Sequence, residues 1–167
     1  MKKISFLLFV SAFTLCISSS KLSAQSYSSS IGLRLGAYNG ITYKGFVSEN
    51  AAIEVYGTFR SYSSLYSFIT ATGLYEIHNQ IPNVDGLKWY YGGGATVGFY
   101  SFDKAFVGSN NTSTIFGITG ILGLEYVFKD LPLNISIDWS PSYYFSSGYG
   151  FTGDYIALSG RYIFGKK

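Results

Sequence analysis

Along most of this chain large apolar residues recur at every second position, and after Gln25 no stretch of about ten residues keeps a helical period. The alternation predicts eight half-buried strands: Ser29–Tyr38, Gly40–Val47, Ala51–Arg60, Leu65–His78, Leu87–Ser101, Thr114–Phe128, Leu133–Phe145 and Asp154–Phe164. Between them stand turn signals. Asn39-Gly40 suits a tight hairpin, Ser48-Glu49-Asn50 a short turn, and Lys129-Asp130-Leu131-Pro132 another. Longer connections fall at Asn79–Gly86, Phe102–Ser113 and Ser146–Gly153, and Pro141 interrupts an otherwise strand-like run. An even number of antiparallel strands is what a closed up-and-down barrel needs.

The two faces of each strand differ in kind. One face of 87–99 reads Leu87, Trp89, Tyr91, Gly93, Ala95, Val97, Phe99; the other carries Lys88, Tyr90, Gly92, Gly94, Thr96 and Gly98. In 133–145 the apolar face is Leu133, Ile135, Ile137, Trp139, Tyr143, Phe145, opposite Asn134, Ser136, Asp138 and Ser142. Charge therefore travels with glycine and small polar residues. Small residues belong in a narrow bore and continuous large apolar ones against lipid, so the volumes predict a membrane-embedded barrel, all-β and about eight strands in size. A soluble lipocalin-like barrel, with its charges outside, is the alternative.

Arg34, Lys44, Glu54, Glu76, Lys88, Glu125, Asp138 and Arg161 all fall on the charged phase, one to a strand, within about six residues of one end of the barrel. Four cations and four anions at similar depth predict an ionic layer across the lumen, because buried charges survive when paired. The hairpin around 79–86 is expected to set Glu76 opposite Lys88. Two readings stay open: structural filling that closes the barrel, or a path for protons or ions. Arg60 is on the same phase nearer the other end.

The first 24 residues follow the secretory-signal order: Lys2 and Lys3, an apolar run from Ile4 to Ile17, a polar stretch, then Ala24 before Gln25. The apolar run is too short for a spanning helix, though a retained anchor is the alternative. Cys16 lies inside it, and Leu15 before it is not the small residue a lipoprotein site wants. Cleavage after Ala24 leaves a chain 25–167 with no cysteine, so no disulfide or thiol chemistry is expected. It also removes three of the twelve Lys+Arg, leaving nine against nine Asp+Glu. The formal +3 thus becomes zero, and no basic surface for nucleic acid remains. The 16 Tyr and 14 Phe suit a sheet with aromatic girdles at the membrane interfaces.

Several segments carry a family resemblance: Gly32-Leu-Arg-Leu-Gly36, Gly40-Ile-Thr-Tyr-Lys-Gly-Phe46, Ala52-Ile-Glu54, Gly73-Leu-Tyr-Glu-Ile-His-Asn79, Gly86-Leu-Lys-Trp-Tyr-Tyr-Gly92, Gly120-Ile-Leu-Gly-Leu-Glu-Tyr126 and Leu133-Asn-Ile-Ser-Ile-Asp-Trp139. With these, the chain resembles small outer-membrane β-barrel proteins of the OmpA/OmpX type and those common in the Bacteroidota. The resemblance implies an exported outer-membrane protein in contact with lipid and lipopolysaccharide, inserted by the barrel-assembly machinery. It transfers no catalytic residue. Tyr162-Ile163-Phe164 is similar to the aromatic terminus that machinery recognises, but Gly165-Lys166-Lys167 extends past it.

Candidate chemistry is sparse. His78 is the one histidine and is placed toward the periplasmic end, facing the lumen, whereas a lipid-modifying nucleophilic site would need it near the outer leaflet. Gly92-Gly93-Gly94 lacks phosphate-loop spacing and a following helix. Asp85, Asp103, Asp130 and Asp154 form no calcium-liganding run. No catalytic set, cofactor or metal site is expected. Tyr62, Tyr66, Phe102, Phe106, Tyr149 and Phe151 are placed at the outer loops, either as girdle and loop packing or as a contact surface for a protein, glycan or lipopolysaccharide. Three functions follow in order: an envelope scaffold or loop-displaying partner protein, a narrow solute channel, and a lipid-modifying enzyme.

Overall fold

The computed structural model describes residues 27–62, 66–102, 112–145, 150–153 and 155–166. The expected leader with Cys16 lies outside the described residues, as do Phe106 and Tyr149. Ten strands form: β1 (Tyr27–Gly36), β2 (Asn39–Phe46), β3 (Ala51–Tyr62), β4 (Tyr66–Gln80), β5 (Leu87–Phe102), β6 (Thr112–Val127), β7 (Leu133–Trp139), β8 (Ser142–Tyr144), β9 (Gly150–Thr152) and β10 (Ile156–Lys166). Each of the first six pairs antiparallel with the next; β10 pairs with both β7 and β1, which closes a ring of eight in which β8 and β9 extend β7 and β10. Closure leaves no open edge around the ring, the state in which strands can cross a bilayer with every backbone group paired.

The expected seventh strand is in two pieces, and ahead of the eighth a short strand, β9, forms within the stretch expected as the connection Ser146–Gly153. The seventh breaks at Ser140-Pro141, yet its register against β6 carries through: Leu122 faces Trp139 below the break and Thr119 faces Ser142 above it. Pro141 has no N–H to give the ladder, so pairing lapses there without a slip. The eighth differs. Ile156 faces Trp139, but Thr152 faces Ser142, so strand eight carries one extra residue over that interval, as a bulge does. The first hairpin also moves. Its turn is Ala37-Tyr38, and Asn39-Gly40 lies inside β2 with Gly40 opposite Thr58.

One end of the ring carries the short connections over 47–50, 81–86 and 128–132, with positive φ at Asn83 and Gly86. At the opposite end β4, β5 and β6, with 15 or 16 residues each, rise above the eight-residue β2, so the rim is uneven.

Parity sorts the side chains as the volumes require. The outer face is continuous in large apolar residues: Ile31, Leu33, Leu35 on β1, Phe116, Ile118, Leu122, Leu124 on β6, and Ile135, Ile137, Trp139 on β7 are all well exposed. Toward the short-turn end, stacked or edge-on pairs Trp89–Tyr91, Tyr126–Phe128 and Tyr162–Phe164 face outward. Inside, apolar filling comes in three small clusters rather than one core. Tyr27, Val127 and Ile163 with Phe46 close the short-turn end; Tyr56, Leu74, Tyr90 and Ile121 fill the middle; Phe68, Ile115 and Tyr144 with Tyr38 sit toward the other end.

Candidate functional site

The eight charged residues marked by parity all point into the lumen, each at most 3% exposed. They assemble into two groups rather than one even layer. In the larger group Lys44 Nζ lies 3.1 Å from Glu54, 2.8 Å from Glu76 and 3.6 Å from Glu125. Arg161 approaches the same carboxylates from β10, at 2.7 Å from Glu54 and 3.9 Å from Glu125. Arg161 also donates to Ser136 at 2.8 Å, and Thr42 donates to Glu54 at 2.5 Å. The second group is the Arg34–Asp138 pair, joined by two parallel bonds, with Ser140 accepting from Arg34 at 3.2 Å and the Tyr90 hydroxyl donating to Asp138 at 3.1 Å.

The pairing around Lys88 differs from expectation. Gln80, not Glu76, stands opposite Lys88 on β4, because the strand runs two residues past His78 before the turn. Glu76 faces Gly92 instead, and its carboxylate turns the other way, past β3, to Lys44 of β2. On its other side Lys88 is in register with Glu125 of β6, and its ammonium lies 5.4 Å from the Phe46 ring centre and 6.0 Å from that of Tyr27.

Aromatic rings complete the two groups. Arg34 lies over Tyr56 at 4.4 Å and Lys44 over Tyr90 at 4.1 Å, placements that favour a desolvated cation. The Tyr27 hydroxyl sits 3.1 Å from both oxygens of Glu125. His78 faces the lumen as its phase predicts and lies within β4: it is buried, stacked on Tyr90 at 4.9 Å and 3.0 Å from Glu76. Tyr27 escaped the sequence reading because the first strand begins two residues earlier than its alternation suggested. Tyr56, Tyr90 and Thr42 share the charged phase and were legible by parity, but their roles depend on which strand lies across the lumen.

Farther from the short turns the lumen changes character. Thr72, Thr96, Thr119 and Ser142, on four neighbouring strands, form one hydroxyl chain with links of 2.8, 2.6 and 2.9 Å, and Thr58 bonds Thr70 at 2.6 Å. Thr58, Thr70, Thr72, Thr96 and Ser142, with Arg34 and Tyr56, line a cavity of about 40 Å³. At its rim the Tyr38 and Tyr155 hydroxyls are 3.3 Å apart, their rings meet edge-on at 5.2 Å, and the Arg60 guanidinium lies 5.2 Å from the Tyr38 ring.

The aromatics expected on outer loops are placed differently. Tyr62, Tyr66 and Phe102 belong to β3, β4 and β5, with Tyr62 opposite Tyr66 and Tyr66 opposite Phe102 in the backbone register. Phe151 is in the short β9 and 67% exposed. Among the described residues no group of three or more His, Cys, Asp or Glu is arranged to hold a metal ion.

No protein-family model matches the chain, and no curated protein matches it. Solved structures do. The N-terminal β-barrel domain of Pseudomonas aeruginosa OprF superposes with a TM-score of 0.64 at 16% identity, over 84% of this chain and all of that one. Neisserial surface protein A gives 0.62 at 12% identity, over 81% of this chain and 93% of that one. Ail, the attachment invasion locus protein of Yersinia pestis, gives 0.58 at 17% identity, over 82% and 97%. At such identities the likeness is one of architecture: in fold, this chain is a closed eight-stranded barrel of the small outer-membrane type.

Proposed function

We propose that this chain is an exported, non-enzymatic integral protein of the outer membrane, whose lumen is closed by its own charged residues and whose taller rim is displayed outside the cell. The observation that carries this reading is the inversion of the barrel: large apolar side chains outward on every strand of the ring, and eight buried charges inward. Lipid is the solvent that such an outer face requires. The short-turn end would face the periplasm, with insertion by the barrel-assembly machinery and lipid or lipopolysaccharide around the belt. A scaffold or rim-mediated contact role fits a closed lumen. An eight-stranded bore holds little beyond its filling side chains, which disfavours a solute channel.

Heat-modifiability of the protein in urea-washed membranes is the first test, read as a mobility difference between unheated and boiled samples. Retention with a shift is the expected outcome; release by urea without a shift would discard the membrane assignment. Planar-bilayer recordings test the closure separately. They are expected to show no steady large conductance, and a stable open level in the unmodified protein would make the charged groups a conduction path instead.

A further inference from the structure

The hydroxyl-lined cavity is not needed to close the barrel, because the charged groups and the aromatic cluster below it already fill the section. We propose that this outer half of the lumen is a blind binding pocket for the neutral, hydroxyl-bearing end of a polyol or sugar. Its opening to the cell exterior rests on the orientation proposed above; the binding chemistry does not.

The ligand class follows from what lines the space. In a chain of hydroxyls every member but the last uses its proton on a neighbour, and all keep oxygen lone pairs to spare. Thr72, Thr96, Thr119 and Ser142 form such a chain, so this wall presents acceptors, polarised by the bonds between them. Acceptors call for a donor-bearing ligand. An ammonium group fits poorly, because the Arg34 guanidinium lines the cavity, and Arg60, outside the lining, lies over the Tyr38 ring at the rim. A small anion fits poorly as well: the guanidinium at the floor is already matched by two bonds to Asp138. A neutral hydroxyl group satisfies the wall without adding charge. Carbon–hydrogen faces beside such hydroxyls suit aromatic walls, which Tyr56 supplies at the floor and Phe68 and Tyr144 toward the mouth. Size narrows the choice further. About 40 Å³ holds the volume of roughly three waters, so the pocket takes a hydroxymethyl or vicinal-diol end and not a whole saccharide. The Tyr38–Tyr155 contact at the rim ties the first hairpin to the start of β10 and sets the width of the entrance.

The test uses the full barrel in detergent micelles with labelled threonine methyl groups. It is titrated in separate samples with glycerol, methyl β-glucoside, methylammonium chloride and sodium phosphate. Glycerol is expected to give saturable shifts largest at the lining residues Thr58, Thr70, Thr72 and Thr96. Methyl glucoside producing the same shifts would assign the pocket to a sugar terminus, and glycerol alone producing them to a free polyol. Thr96→Val, which interrupts the chain at constant shape, should weaken glycerol binding roughly fivefold, about 1 kcal/mol for one neutral hydrogen bond. Tyr38→Phe, which leaves the chain intact, should change it less. Non-saturating shifts with both hydroxyl ligands, or tighter binding of methylammonium or phosphate, would overturn the proposal. Heat-modifiability of each variant, measured alongside, separates loss of the pocket from loss of the barrel, and bilayer conductance tests the closed lumen on its own.

Discussion

At the scale of single residues, the lumen is governed by the cost of an unmatched charge. Arg34 and Asp138 are both out of solvent and satisfy each other with two bonds. Asp138→Ala leaves the guanidinium buried without its counter-ion, and a change of this kind costs about 3–5 kcal/mol. Replacing both, Arg34→Met with Asp138→Leu, removes the charge and keeps the volume. Urea-unfolding midpoints in lipid vesicles are expected to fall sharply for the single variant and to recover most of the loss in the double. Equal losses in both would mean that the pair does more than neutralise itself. A different regime holds at the turns. Asp85 and Lys129 meet at 2.7 Å in open solvent, tying the 81–86 turn to the 128–132 turn. The bond with Lys129 lowers the Asp85 pKa below the usual carboxylate value. The depressed pKa means that this contact contributes fully above the ordinary carboxylate range and is lost as pH falls through the lowered value. Acidification is therefore expected to free the Lys129 side chain in NMR spectra while the barrel resonances stay put. Release on raising the pH through the carboxylate range would contradict the sign.

At the scale of elements, curvature depends on where side chains are missing. A Cβ on Gly94 would run into the carbonyl of Gly73 across the β4–β5 ladder, whereas one on Gly73 would meet nothing within 4 Å. The two sit on opposite faces of the wall, one inward where the ring is tight and one outward. Gly94→Ala should destabilise by roughly 1–3 kcal/mol through forced backbone shifts, while Gly73→Ala should leave the urea midpoint nearly unchanged. Similar losses at both positions would show that backbone entropy rather than crowding dominates. The same contrast explains the triple glycine: a Cβ on Gly92 or Gly94 would meet the β4 backbone, so both let the strands approach on the inner face. It is a wall feature and has no bearing on phosphate.

At the scale of the whole molecule, side-chain bonds link strands that are not neighbours in the ring. Arg161 of β10 reaches Glu54 of β3, Arg34 of β1 reaches Asp138 of β7, and Tyr27 of β1 reaches Glu125 of β6. These links cross the bore and leave no through-path at their level in the proposed function. Cys16 is the sole cysteine, so introduced thiols report cleanly. With an impermeant thiol reagent added outside intact cells, Tyr38→Cys, at the rim of the cavity, is expected to label, and Val127→Cys, at the short-turn end, to stay protected. Labelling of both would mean an open bore.

Much of this was legible before any coordinates. Strand number, the even count and the face carrying charge follow from period-two alternation, because in a barrel wall parity alone decides which solvent a side chain meets. That made the eight lumen charges recognisable one by one, and the same rule marks Tyr56, Tyr90 and Thr42. Partnership was not legible. Asn39-Gly40 signalled a hairpin, yet the turn formed at Ala37-Tyr38, since pairing along both strands outweighs a two-residue preference. Glu76 was expected against Lys88 and instead meets Lys44, because β4 runs on to Gln80 and shifts every cross-strand contact by that amount. The hydroxyl chain and the division of the charges into two groups arise only when strands distant in sequence are brought around the ring. Sequence alone determined which residues face the lumen; the closed tertiary structure decided which of them touch, because register, and not residue type, fixes depth along the barrel axis.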